Sequence, residues 1–216
     1  MSAAAGSGSI VGILLAAGSA RRFGADKLLY PLDDGTPIAV ASAQRLLMAC
    51  PYSISVLRPE QVELQRLLSN LGIDVRLDAL AAGGMGNSLA GAVRAGREAA
   101  GLLVALADMP FIKPSTLRSL VDALDNGAVL AAPVYRGRRG HPVAFGRRFL
   151  GELASLQGDT GARQILARHA GSMKIVEVDD PGILRDIDHP DDLTAWVVAS
   201  CARARRKFLP RSGDKG

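Results

Sequence analysis

Four segments of this 216-residue chain combine residue types that can do chemistry. The first is the run from Leu15 to Lys27, LAAGSARRFGADK, where an aliphatic stretch gives way to small residues and the cations Arg21, Arg22 and Lys27. Small residues let backbone N–H groups approach phosphate oxygens, and the cations supply charge. The run matches neither GxxxxGK[ST] nor GxGxxG, and the same residues would also serve as an ordinary βα turn with surface cations. The second is Asp108, which ends the apolar run 102–107. A carboxylate at a strand end lies in the crevice where α/β sheets bind ligands. Beside phosphates it would hold Mg2+; otherwise it caps a turn.

The third segment is Gly83-Gly84-Met85-Gly86-Asn87-Ser88, read as a glycine-rich approach to a helix that either accepts a base or ribose edge or is a plain cap. The fourth is Asp186-Ile187-Asp188-His189-Pro190, where alternation points both carboxylates the same way on an extended chain. They either complete a cation site or cap a final helix.

These segments need a scaffold, and the hydrophobic pattern supplies one. The continuous aliphatic runs at 10–15 and 102–107 are those of strands buried on both faces. Further strands are expected at 52–57, 73–77, 129–134, 141–145 and 174–178. Helices are expected at 36–48, with Thr36 as N-cap and Pro37 at N1, then at 59–71, 88–99, 115–124 with Pro114 in the first turn, 147–155, 160–169 and 190–203. Alternating strands and helices make βαβ units, and so a mostly parallel sheet covered on both faces.

The sequence has 26 Lys and Arg against 21 Asp and Glu, but six of the bases and one acid lie at 203–216, leaving 20 of each before residue 203. A neutral body speaks against a nucleic-acid binder, in which phosphate neutralisation spreads over a face. No apolar run reaches the ~18–20 residues of a membrane span. Two cysteines without CxxC and three isolated histidines give neither a zinc–thiolate cluster nor a disulfide scaffold. The start MSAAAGSG has no basic n-region, so a reducing, cytoplasmic setting is expected. Three parts are expected along the chain: a flexible stretch at 1–9, one domain at 10–202 and a basic tail at 203–216.

Taken in order, the LAAG-x-x-x-RFG-x-x-K loop, GMGNSL, LADMP, GHPV, GDTGAR and DIDHPDDL resemble the MobA-like nucleotidyltransferases, and within them the MocA-type molybdenum cofactor cytidylyltransferases. The resemblance covers about residues 10–200. It implies a Rossmann-like three-layer α/β/α sandwich with a mostly parallel sheet and one reversed strand. It also implies Mg2+-dependent cytidylyl transfer from CTP to the terminal phosphate of molybdopterin cofactor, with transient contact to a recipient molybdoenzyme or its chaperone. The alternatives are guanylyl or other nucleotidyl transfer, to the cofactor or a sugar phosphate, and a non-catalytic cofactor carrier.

The resemblance further implies roles for single residues. Ala16, Ala17 and Gly18, with Arg22 and Lys27, would hold triphosphate and ribose; Gly86, Asn87 and Ser88 would face the base. Asp108 would bind Mg2+, with Asp186 and Asp188 as the associated pair. His141, Asp159 and Arg163 would lie toward the acceptor. Catalysis would rest on Arg22, Lys27 and Asp108. Ala20 stands where the family often has Ser. Ala17, where guanylyl enzymes favour Gly, is the local argument for CTP, a methyl-sized discrimination of ~1–3 kcal/mol.

Overall fold

Ile10–Leu15 forms strand β1, flanked by β2 (Ser53–Leu57) and β4 (Gly101–Leu106), both parallel to it. A computed structural model describes residues 8–16, 26–159 and 161–193. The remaining strands are β3 (Asp74–Leu77), β5 (Leu130–Tyr135), β6 (Arg138–Arg139), β7 (Val143–Gly146) and β8 (Lys174–Glu177). They make one sheet of order β3-β2-β1-β4-β7-β5-β6, with β8 pairing β5 in parallel.

The reversed direction is carried by β6 and β7, both antiparallel to β5, with β7 also antiparallel to β4. Ala131 pairs with Ala144 and Val134 with Arg139, so three steps along β5 face five along the returning chain. The two extra residues form a bulge at Gly140-His141-Pro142, which contains a cis His141–Pro142 peptide. The strand expected at 141–145 therefore starts at Val143, and His141 belongs to the bulge.

Helices cover both faces of this sheet. On one side lie α1 (Ile38–Leu47), α2 (Val62–Asn70) and α4 (Pro114–Asp125). Their Leu46, Leu64, Leu68, Leu117 and Leu120 pack with Leu14, Leu103 and Ala105. On the other lie α3 (Met85–Ala95), α5 (Leu150–Ala154) and α6 (Arg163–Arg168). Their Leu89, Val93, Leu153 and Ile165 pack with Val11, Ile13, Leu102 and Val104. Successive residues of β1 and β4 thus feed opposite cores, as strand alternation requires. The fold is a three-layer α/β/α sandwich with a mixed, mostly parallel sheet.

Several boundaries differ from the sequence reading, each for a local reason. Pro37 is the N-cap of α1 rather than its first residue, because it is extended and bridges to Pro31 while the Thr36 carbonyl accepts from Leu32 N–H at 2.8 Å. α3 begins at Met85 rather than Ser88, because Gly84, at φ +121°, breaks the chain direction just before it. Gly86, Asn87 and Ser88 therefore lie inside the first turn. The stretch 147–155 divides into a 3-10 turn, Arg147–Phe149, and α5. Pro114 opens α4 as expected. The final helix is seen only at 190–193; its remainder, the basic tail and residues 1–7 lie outside the described residues.

Candidate active site

Strand order reverses direction at β1, whose crossovers lead to β2 on one side and whose other neighbour is β4. Open α/β sheets bind ligands at such a switch point, at the carboxyl ends of the strands. Here those ends carry Ala16 and Asp108, and they are tied together by Ala107 N–H donating to the Leu15 carbonyl at 3.0 Å. The Ala16 carbonyl accepts from Gln61 Nε2 at 3.1 Å, and Gln61 Oε1 accepts from Arg58 N–H at 2.9 Å. Gln61 is buried and fixes where the first loop departs. The sequence gives no signal for Gln61, since a glutamine near a helix start reads as a surface residue. Arg58, also unmarked by the sequence reading, directly follows β2, with its Nε buried and without a partner among the described residues.

Lys27 opens a 3-10 turn, Lys27–Leu29, between two anchors. Asp26 caps the turn by accepting from Leu28 N–H at 3.2 Å, and the Leu28 side chain is sunk in the core beside Ala16 and Met109. Held this way, Lys27 Nζ donates to Asp108 Oδ2 at 2.9 Å and to Asp188 Oδ1 at 3.0 Å. Burial acts to lower the Lys27 pKa, but the carboxylates of Asp108 and Asp188 outweigh it and hold the ammonium above the ordinary lysine value. Lys27 is therefore a fixed cation at neutral pH.

Asp108 is a quarter exposed, so the crevice is open to solvent, yet its Oδ1 is buried and has no hydrogen-bond partner among the described residues. The backbone of residues 183–188 passes over it, with Ile187 N–H donating to the Asp108 carbonyl at 3.0 Å. Ile187 is buried against Ile38 while Asp186 and Asp188 stay exposed on either side of it. The expected alternation of the two carboxylates is thus present, on extended chain outside the sheet. His141 N–H donates to the Ile183 carbonyl at 2.9 Å, which brings the bulge to the same crevice. Burial pushes the His141 imidazole below the usual histidine value; Asp108 and Asp186 oppose this and Arg139 adds to it.

A hard divalent cation suits these donors. The oxygens are carboxylate, and Asp108 Oδ1 is a buried acceptor without a hydrogen-bond partner among the described residues. Among the described residues no three His, Cys, Asp or Glu side chains converge as a ready-made cage. Mg2+ needs none, because it takes one or two carboxylates and completes its shell with phosphate and water.

The glycine-rich segment is locked to the stretch 157–159. Gly86 N–H donates to the Gly158 carbonyl at 2.7 Å. Asn87 Oδ1 accepts from Gly158 N–H at 3.0 Å, and its Nδ2 donates to the Leu80 carbonyl at 2.9 Å. Ser88 is buried, its Oγ directed at the carbonyls of Ala81 and Gly84. A Cβ on Gly84 would stand 2.6 Å from the Gly158 carbonyl carbon, so only glycine fits there. The side chains of Asn87 and Ser88 are thus engaged by the fold, and Asp159 reaches the same junction while Arg163 opens α6.

The structure therefore brings Ala16, Lys27, Asp108, His141, Asp186 and Asp188 to one crevice, while Gly86, Asn87 and Ser88 lie in the first turn of α3, where their contacts are with residues 80–84 and 157–158. Ala17, Gly18 and Arg22 lie outside the described residues. No helix among the described residues is long and apolar enough to cross a membrane.

The chain is 27% identical over 195 residues to the purine catabolism protein PucB of Bacillus subtilis, covering 85% of this chain and 93% of that one. It is 28% identical over 144 residues to a probable molybdenum cofactor guanylyltransferase of Thermococcus sibiricus, covering 65% and 71%. The crystal structure of Rv0371c from Mycobacterium tuberculosis superposes with a TM-score of 0.76 at 29% identity, covering 88% of this chain and 97% of that one. A second structure of Rv0371c is a complex with manganese, with a TM-score of 0.73 at 27% identity over 88% and 99% of the chains. Residues 12–173 match the family model of the MobA-like NTP transferase domain. With that match spanning most of its length, the chain belongs to the MobA-like NTP transferase family.

Proposed function

We propose that this chain transfers a nucleotidyl group from a nucleoside triphosphate to the terminal phosphate of a molybdopterin-type cofactor, releasing pyrophosphate. The observation that carries the reading is Lys27, held between Asp108 and Asp188 at the switch point of the sheet. A fixed cation beside carboxylates suits the meeting of two polyanions, which otherwise repel. The acceptor phosphate oxygen bonds to the α-phosphorus while the bond from that phosphorus to the β-phosphate oxygen breaks. The acceptor is already anionic, so no side chain need remove a proton from it. Lys27, with Arg22, would neutralise the departing pyrophosphate, and Ala16, Ala17 and Gly18 would align the triphosphate.

Asp108 would hold Mg2+, with one carboxylate of the Asp186–Asp188 pair as its second protein ligand. When bound, the ion supplies charge neutralisation across the reacting phosphates. Support for a divalent cation comes from the orphaned Asp108 oxygen and from the manganese complex of Rv0371c.

The nucleotide is the point on which two readings differ. Ala17 favours CTP, but through one methyl group at a position outside the described residues. The name of the Thermococcus relative specifies guanylyl transfer. The broader nucleotidyl reading therefore has more support than the cytidylyl one. The test is pyrophosphate release from CTP, GTP, ATP and UTP, each with Mg2+, with and without purified cofactor. We expect release that requires cofactor and strongly prefers CTP or GTP. Release with a sugar phosphate and not the cofactor would move the acceptor class. Cofactor binding with no release from any nucleotide would make the chain a carrier.

A further inference from the structure

Asp180 is the only fully buried carboxylate among the described residues, 1% exposed, and the proposed chemistry does not use it. It lies between β8 and the 3-10 turn Pro181–Leu184. Its Oδ2 accepts from Lys113 N–H at 2.8 Å and from Thr116 Oγ1 at 2.7 Å; its Oδ1 accepts from Gly182 N–H at 3.0 Å. Lys113 is the N-cap of α4 and provides no side-chain cap of its own. Asp180 therefore caps α4 from a distant part of the chain, where a negative charge is favoured by the helix dipole. The Arg45 guanidinium on α1 is near enough to interact with that charge.

The same carboxylate starts the segment that crosses the active site. Gly182 lies flat on Phe111, where a Cβ would stand 2.6 Å from the Phe111 carbonyl carbon. One residue on, the Ile183 carbonyl takes the His141 N–H. Ile187 N–H then reaches the Asp108 carbonyl, and Asp188 reaches Lys27. The α4 end of this clamp follows within a few residues of Asp108 itself. One buried side chain thus ties the loop after β4 to the strap that carries Asp186 and Asp188.

We infer that Asp180 is a positioning residue: by joining the first turn of α4 to the strap at 181–188 it sets Asp186 and Asp188 against Asp108 and Lys27. For its consequence on metal binding, this inference rests on the proposed function above. In Asp180→Asn the shape is kept, but an amide N–H2 replaces one acceptor facing Lys113 N–H or Gly182 N–H, so one end of the clamp is lost.

Two readouts on the full-length protein test it. The first is amide hydrogen exchange. In Asp180→Asn, exchange at Ile187 should accelerate about tenfold or more while amides of β1 and β4 keep their wild-type rates. The second is Mn2+ binding followed by its electron paramagnetic resonance signal, in the presence of CTP or GTP. The Mn2+ dissociation constant should rise about tenfold or more, the usual effect of removing a residue that orients metal ligands. Thr116→Val should act in the same direction, and Thr116→Ser should restore both readouts. Thr116→Val decides the matter if Asp180→Asn does not fold.

Unchanged exchange at Ile187 would overturn the inference, as would acceleration spread evenly over the sheet. A wild-type Mn2+ constant in a variant with a loosened strap would overturn its link to the metal. Wild-type protein that binds no Mn2+ with either nucleotide would instead overturn the proposed function, with the exchange data still deciding the role of Asp180.

Discussion

Lys27 Nζ donates to Asp108 Oδ2 at 2.9 Å across 81 residues of chain, and the same nitrogen meets Asp188 another 80 residues on. The first loop, the central strand end and the late strap therefore converge on one ammonium. No local segment makes this triad. It exists because β1 and β4 are neighbours and because residues 183–188 cross their ends.

Asp108→Ala should reduce turnover by about 10²–10³-fold, the usual cost of losing an electrostatic contact to reacting charge. The fold should survive, since the side chain is partly exposed and Lys27 keeps Asp188. Steady-state pyrophosphate release and a thermal melt check both halves. Retention of more than about a tenth of the activity would remove Asp108 from the catalytic set.

Metal-free protein should lose stability as pH falls through the histidine range, in part through His141. Burial lowers its folded-state pKa below the ordinary 6.5. Between those two values the unfolded chain binds more protons than the folded one, so stability rises with pH across that window. The contribution is fully present above about pH 6.5 and lost below the folded value. Urea melts at several pH values in a chelator measure the slope, which His141→Gln should flatten. An equal slope in the variant would show that His141 does not titrate in this way.

Cys50 should resist alkylation in the native protein. Burial, with a smaller effect from Asp125, pushes its thiol up to about 12. At pH 8 the thiolate is then about one part in ten thousand, and the side chain is sealed in the core. Iodoacetamide treatment followed by peptide mapping should leave the Cys50 peptide unmodified until urea is added, with Cys201 scored separately. Rapid native labelling would show that the core around Leu46 and Ile73 opens on the experimental timescale.

The sheet was legible because buried parallel strands are written as aliphatic runs, as at β1 and β4, and because Pro114 marks a helix start. The bulge at His141 was not, since two extra residues leave no trace in a short apolar pattern. Nor was the early start of α3, which depends on a positive φ at Gly84 that the residue type permits without demanding. At the site, Lys27 and Asp108 could be picked out by charge at the ends of apolar runs. Gln61 and Asp180 could not, because polar residues are mostly exposed and their burial follows only from partners far away in sequence.

Asn87 tests how the first turn of α3 works. Its amide oxygen and nitrogen are both bonded, to Gly158 N–H and the Leu80 carbonyl, so it clamps two loops at the start of α3. Asn87→Ala removes two partly exposed hydrogen bonds, which should lower stability by about 1–2 kcal/mol. Loosening 157–159 should also raise the nucleotide KM, because that stretch holds the start of α3 through Gly86. The base preference should not follow, since neither polar atom of the side chain is left to read a base edge. The decisive measurement is the ratio of kcat/KM for CTP and GTP with one acceptor, in wild type and variant. We expect a ratio moved by less than about twofold. A tenfold change, worth about 1.4 kcal/mol of discrimination, would show that Asn87 leaves Leu80 and Gly158 to contact the base when nucleotide binds.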